Sequence, residues 1–186
     1  GMVFGSAQVR MVPGIDWKTL QAQSRLAERT REVARELGEV EELGGFPREP
    51  YKIAPTRQGT RARDPAEMRA FDETKAAFQG EIQRRVAISP KKEVMLYVHG
   101  FNETFATSAF TAAELCHFFG REQVCSFFTW PASSTGNFLI SYTTTTESAE
   151  YAVDHLKKAL RMIAATPGVE RIQLLAHSRG TAVLLN

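Results

Sequence analysis

Three short apolar runs constrain the fold of this chain most. Residues 94–98, 124–130 and 172–176 are β-prone and apolar almost throughout. Each is followed by a stretch of helical character. Residues 104–119 form the first, closed by Gly120. Residues 147–165 form the second, with Ala149, Val153, Leu156, Leu160 and Ile163 on one face and Pro167-Gly168 to end it. The third is the short run after Ser178. Continuous apolar strands need cover on both faces, and strands that alternate with helices pair in parallel. The pattern predicts an α/β fold with a mostly parallel sheet and helices on both faces. In such a sheet the crevice for a ligand lies beyond the carboxyl ends of the strands. Loops 99–104, 131–146 and 176–179 meet there.

The segments before this core are less regular. Residues 7–12 alternate apolar and polar side chains as a half-buried strand does, and Pro13-Gly14 ends the run. Asp16 suits a helix N-cap. Between Trp17 and Leu43, Leu20, Leu26, Val33, Leu37, Val40 and Leu43 recur at loosely helical spacing among many Glu and Arg. Gly38 and Gly44-Gly45 interrupt them, so the spacing predicts one helix or two. Residues 44–66, rich in Gly, Pro and Arg, read as a loop. Arg57, Arg61 and Arg63 cluster in it, either as a solvated surface or as a surface for an acidic ligand. Met68, Phe71, Phe78, Ile82 and Val86 predict a helix over 66–87, and Ser89-Pro90-Lys91-Lys92 turns into the first core strand. The whole reads as a single domain over 1–186, with a variable strand, helix and loop region at 1–66 and the βα core at 67–186. No internal repeat is present, and the only low-complexity tract is Thr143–Thr146.

A length of 186 residues allows one domain with a substantial core. The 23 basic and 21 acidic side chains leave a net charge of +2, too balanced to favour nucleic acid or a membrane surface as partner. No apolar run approaches the ~18 residues that a membrane span requires. Cys116 and Cys125 are too few for a disulfide framework or a zinc site. They read as two buried free thiols, one at a helix end and one on the next strand. No secretory signal opens the chain, and Gly1 before Met2 reads as a residue added in cloning. The compartment stays open.

The chemistry concentrates in Ala176-His177-Ser178-Arg179-Gly180. A strand, a tight turn carrying Ser178 and a helix follow one another, which is the pattern of a nucleophile elbow. A serine hydroxyl is a weak nucleophile that needs a base and donors for the oxyanion it creates. The backbone N–H of Arg179, at the positive end of a helix dipole, is one such donor. The second comes from His99-Gly100-Phe101-Asn102, directly after Tyr97-Val98. Gly100 lets the backbone turn inward, and the N–H of Phe101 can then point at the site. The competing reading of Ser178 is a residue that caps the following helix in an ordinary βα turn.

The base is harder to place. His117 lies thirteen residues into its helix, roughly 20 Å from the active end, and His155 eight residues into its own, about 12 Å away. Asp154 is next to His155, but neighbouring helical side chains do not face each other. His99 and His177 sit beside the two backbone donors and read as braces for the loops, with Gly100 and Gly180 shaping the same turns. By elimination the working His and its acid are expected beyond Asn186. Arg179 can bind an acidic substrate group or form a salt bridge on the helix surface. Trp130-Pro131-Ala132-Ser133-Ser134 either shapes specificity or simply connects elements around a buried Trp.

Four segments carry a family resemblance: Tyr97-Val98-His99-Gly100-Phe101-Asn102-Glu103-Thr104-Phe105, Phe128-Thr129-Trp130-Pro131, Glu147-Ser148-Ala149 and Leu175-Ala176-His177-Ser178-Arg179-Gly180. Together they resemble the bacterial α/β-hydrolase family designated DUF900, a domain of unknown function. The resemblance covers most of residues 70–186. Phe4-Gly5-Ser6-Ala7-Gln8-Val9 resembles the strand that opens that domain, whereas residues 13–66 match poorly. The resemblance implies an α/β-hydrolase sheet and a Ser–Asp–His triad in that chain order, with Ser178 as nucleophile and Phe101 and Arg179 as oxyanion donors. Ala176 replaces the first glycine of the elbow and is small enough to fit. Arg179 stands where Met or Gln is common. The family's acid and base have no counterpart in this chain, so the domain reads as incomplete at its C-terminus.

The expected activity is serine hydrolysis of a carboxylic ester or related acyl bond in a small-molecule substrate, without cofactor or metal. Residues 1–186 alone are expected to show little triad-based turnover. The alternative is a non-catalytic binding or interaction domain on the same scaffold. The strand at 172–176 would also present an apolar edge that invites self-association.

Overall fold

The computed structural model describes residues 1–12, 15–28, 30, 33–56, 58–132 and 138–186, with no description of the side chains of 138–150. Pro13, Gly14, Arg57, Ser133 and Ser134 therefore lie outside the described residues, as do the side chains of Thr143–Thr146, Glu147, Ser148 and Ala149. In chain order the elements are β1 (Val3–Met11), α1 (Trp17–Ser24), β2 (Arg35–Gly45), β3 (Ile53–Pro55), β4 (Arg61–Arg63), α2 (Pro65–Ile88), β5 (Glu93–Val98), α3 (Phe105–Phe118), β6 (Val124–Phe128), α4 (Phe138–Ala164), β7 (Arg171–Ala176) and α5 (Arg179–Leu185).

The centre is a three-stranded parallel sheet in the order β6-β5-β7. Central β5 has Val94 to Val98 all buried, because both of its faces are covered. Side chains alternate across a sheet. On one face, Val94, Leu96, Val98 and Val124 pack with Ile82 and Val86 of α2, Ala152, Leu156 and Ile163 of α4, and Val183 of α5. On the other, Cys125 and Phe127 meet α3 through the Cys116–Cys125 disulfide and a Phe105–Phe127 ring contact at 5.3 Å. Helices thus cover both faces. Asp64 caps α2 by accepting from the Ala66 N–H, and Thr104 and Thr107 close a reciprocal capping box on α3.

Four expectations are corrected. The apolar spacing from Trp17 to Leu43 is not helical beyond Ser24. Residues 35–45 instead form β2, antiparallel to β1 with Val3 opposite Gly45 and Met11 opposite Arg35. Val40 and Leu43 are exposed, so backbone pairing holds this strand rather than a buried stripe. The stretch 44–66 is not wholly loop. It includes the end of β2, the buried Phe46 and the small β3–β4 hairpin. The two cysteines are not free thiols. They form a disulfide with Cα atoms 5.9 Å apart, which ties the end of α3 to the start of β6. α4 also starts earlier than the sequence pattern suggests, at Phe138. No helix among the described residues is long and apolar enough to cross a membrane.

Candidate active site

β5 and β7 run in parallel with Val98 opposite Ala176, so both end at the same level. The loop after β5 and the turn after β7 therefore emerge side by side. His177 donates its backbone N–H to the Val98 carbonyl at 3.1 Å and extends that pairing by one residue. The chain then reverses at Ser178, which adopts φ 52° and ψ −122°. A side chain with a Cβ enters that region at a cost of roughly 1–3 kcal/mol, and such strain clusters at functional sites. Gly180 donates to the His177 carbonyl at 2.9 Å and Thr181 to the Ser178 carbonyl at 3.0 Å, which starts α5. Ser178 is exposed, and its hydroxyl makes no capping bond to the helix. The helix-capping reading of this serine therefore lacks its hydrogen bond.

Two glycines make the turn possible. A Cβ on Gly180 would lie 2.4 Å from the Val98 carbonyl oxygen and 2.5 Å from that of His99. α5 therefore sits directly on the backbone of β5. A Cβ on Gly100 would lie 2.9 Å from the Ser178 Cβ and 2.8 Å from the His177 carbonyl oxygen. The loop at 99–104 thus touches the serine turn. Phe101 follows Gly100 on this loop and is half-buried; Arg179 follows Ser178 as the first residue of α5 and is half-buried too. Asn102 turns the loop back with φ 59°, and its N–H donates to the Ala132 carbonyl at 2.9 Å.

His99 is wholly buried. The Trp130 backbone N–H donates to its Nε2 at 3.1 Å, and the two rings stack at 5.5 Å with 8° between their planes. An N–H can only donate, so Nε2 must accept and the ring proton sits on Nδ1. That proton is donated to the Gly100 carbonyl oxygen, 2.9 Å away. The Trp130 indole Nε1–H closes the ring by donating to the His99 carbonyl at 3.1 Å. Trp130 is thus buried and bonded to the loop.

Glu103, which sequence reasoning passed over, is the hub of this corner. Its Oε1 accepts from the Gly100 N–H at 3.2 Å and from the Tyr97 hydroxyl at 3.2 Å. The same oxygen lies 3.3 Å from His177 Nδ1. Burial, then the negative charge of Glu103 and the hydrogen bond to it, push the Tyr97 hydroxyl up to about 12, so the phenol stays protonated. A signal was available in the sequence, an acidic side chain one residue after the turn at Asn102. Its importance depends on the chain folding back there.

The remaining histidines lie elsewhere. The Arg121 guanidinium, which only donates, contacts His117 Nδ1 at 3.1 Å, so His117 Nε2–H faces the Ser24 hydroxyl oxygen at 2.8 Å. Ser24 in turn donates to the Leu20 carbonyl at 2.8 Å. This chain ties α1 to α3 and leaves His117 with a structural role. His155 sits on α4 and lines a cavity of about 790 Å³ between β1, α2, β6 and α4, with Phe4, Phe78, Phe128 and Trp130 among its walls. Neither Ser178 nor the 99–104 loop lines that cavity. Arg61 and Arg63 are exposed on β4, where the Arg63 guanidinium lies over the Tyr51 ring at 5.2 Å. Among the described residues, no group of three or more His, Cys, Asp or Glu side chains is arranged to hold a metal ion.

A parallel βα sheet with a strained serine turn beside a glycine loop defines a domain of the α/β-hydrolase type. The family described as alpha/beta hydrolase of unknown function (DUF900) matches residues 74–186, well over half the chain, and the chain belongs to that family. No curated protein and no solved structure matches it.

Proposed function

We propose that this domain is a serine hydrolase that cleaves a carboxylic ester or related acyl bond, with Ser178 as nucleophile. One observation carries the reading. Ser178 is held at φ 52° with its side chain exposed and uncapped, while Gly100 of the neighbouring loop lies against its Cβ. A helix-capping serine gains nothing from that strain. A nucleophile gains a hydroxyl raised off the sheet toward a second loop.

The chemistry follows from the residues around it. Ser178 Oγ attacks the acyl carbon, its proton passes to an imidazole, and the carbonyl oxygen becomes an oxyanion. The N–H groups of Phe101 and Arg179 hold that charge. The tetrahedral intermediate expels the alcohol, which takes up the proton, and water then releases the acyl group from Ser178. His99 supports this loop geometry. The Gly100 carbonyl and the Phe101 N–H belong to one planar trans peptide. Binding that carbonyl from the buried His99 side turns the Phe101 N–H the opposite way. The base itself is not His99 or His117, whose ring nitrogens already serve the contacts described. The proton acceptor we infer is the His of an Asp/His pair, of the kind that the family resemblance implies.

The test is hydrolysis of p-nitrophenyl esters by the full-length natural protein and its Ser178→Ala variant. Loss of turnover on the order of a thousandfold or more is expected. Equal rates for the two proteins would refute the assignment.

A further inference from the structure

We infer that Glu103 is the positioning residue that locks the two oxyanion-donating turns to each other; this rests on the hydrolase reading above. The two turns come from different strands and share no sequence proximity. One carboxylate spans them. On the β5 side, Glu103 Oε1 accepts from the Gly100 N–H at 3.2 Å and from the Tyr97 hydroxyl at 3.2 Å. On the β7 side it lies 3.3 Å from Nδ1 of His177, the residue that precedes Ser178. The two partners differ in exposure. The Glu103 side chain is 18% exposed and that of His177 is 70% exposed. The carboxylate is therefore sheltered where it grips the loop, and the imidazole reaches it from the solvent side.

The consequence for the oxyanion hole is geometric. Glu103 fixes the peptide that ends at the Gly100 nitrogen, and His99 fixes the next one through the Gly100 carbonyl. With both peptide planes set, the direction of the Phe101 N–H is set as well. Hydrogen bonds to an ionised acceptor are roughly twice as strong as neutral ones, so a carboxylate holds this turn better than an amide would. Glu103 accepts from the Gly100 N–H and the Tyr97 hydroxyl and faces His177. It acts through the placement of Gly100 and His177.

The experiment compares Glu103→Gln and Glu103→Ala with wild type and Ser178→Ala, all in the full-length natural protein. The first readout needs no activity. Exchange of the Gly100 amide proton, followed by NMR, should accelerate about tenfold in Glu103→Gln and more in Glu103→Ala, as a charge-assisted bond is weakened and then removed. The second is ester hydrolysis, where kcat should fall roughly tenfold in Glu103→Gln and further in Glu103→Ala, with KM little changed. Unchanged Gly100 exchange in both variants overturns the lock. So does wild-type kcat in Glu103→Ala when Ser178→Ala is inactive. If wild type and Ser178→Ala are equally inactive, the hydrolase reading fails by itself, and Gly100 exchange alone decides the lock.

Discussion

Gly180→Ala probes the contact on which the serine turn depends. A Cβ there would lie 2.4 Å from the Val98 carbonyl oxygen and 2.5 Å from the His99 carbonyl oxygen, where ordinary contact begins at 3.4 Å. The shortfall is thus about 1 Å against each, by subtraction from that contact distance. Val98 belongs to the central strand, bonded to β6 on one side and β7 on the other, so its backbone cannot retreat. α5 must lift instead, and Ser178 moves with it. Overpacking of this kind costs about 1–3 kcal/mol, and two backbone clashes place this site at the upper end. For a chain of this size each kcal/mol shifts the midpoint by about 2–4 °C, so a fall of roughly 6–12 °C is expected. Gly80→Ala is the internal control. Gly80 lies in α2, and a Cβ there meets nothing within 4 Å. Replacing a helical glycine by alanine in open space stabilises by about 1 kcal/mol, so that midpoint should rise by roughly 2–4 °C. Thermal denaturation followed by circular dichroism reads both. A Gly180→Ala protein that melts at or above wild type would refute the close-approach argument.

Three further outcomes are expected. Ser178→Gly should be more stable than Ser178→Ala by about 1 kcal/mol or more, because only glycine relieves the φ of 52°; equal urea midpoints for the two variants would remove the strain from the argument. Replacing both Cys116 and Cys125 by serine should cost about 2–3 kcal/mol, the loop-entropy value for a cross-link of sequence separation 9, and thiol titration of the denatured, unreduced protein should find no free thiol. Finally, the Arg84 hydrogen bond, with Arg85, holds the Glu81 carboxyl down at about 2 from an ordinary 4.5. A depressed folded-state value stabilises the protein above about pH 4.5, and that contribution is lost as pH falls toward 2. Glu81→Gln should therefore flatten the acid limb of the stability curve, modestly because Arg84 is well exposed, and an acid limb identical to wild type would contradict the pairing.

The legible and illegible parts of this chain divide along a physical line. β5, β6 and β7 announce themselves because each is an apolar run between helical segments, whereas the sheet order β6-β5-β7 is set by non-local pairing. The turn at Ser178 is equally local, since its strand, serine and small residues are contiguous. β2 is not local. Glu36, Glu39, Glu41 and Glu42 favour a helix by propensity, and pairing with β1 some thirty residues earlier overrides it. The cysteines misled because their proximity depends on how α3 packs on β6, which spacing alone does not reveal. Glu103 was missed for a related reason. Its partners, Gly100 and His177, converge only when β5 and β7 pair and Asn102 reverses the loop.

The most direct test is covalent labelling of the full-length natural protein with a serine-directed fluorophosphonate, followed by mass spectrometry of the peptides. If Ser178 is an activated nucleophile, the adduct will be found on Ser178 and will vanish in Ser178→Ala. A protein that shows no adduct on this serine, or labels equally without it, would contradict the central claim.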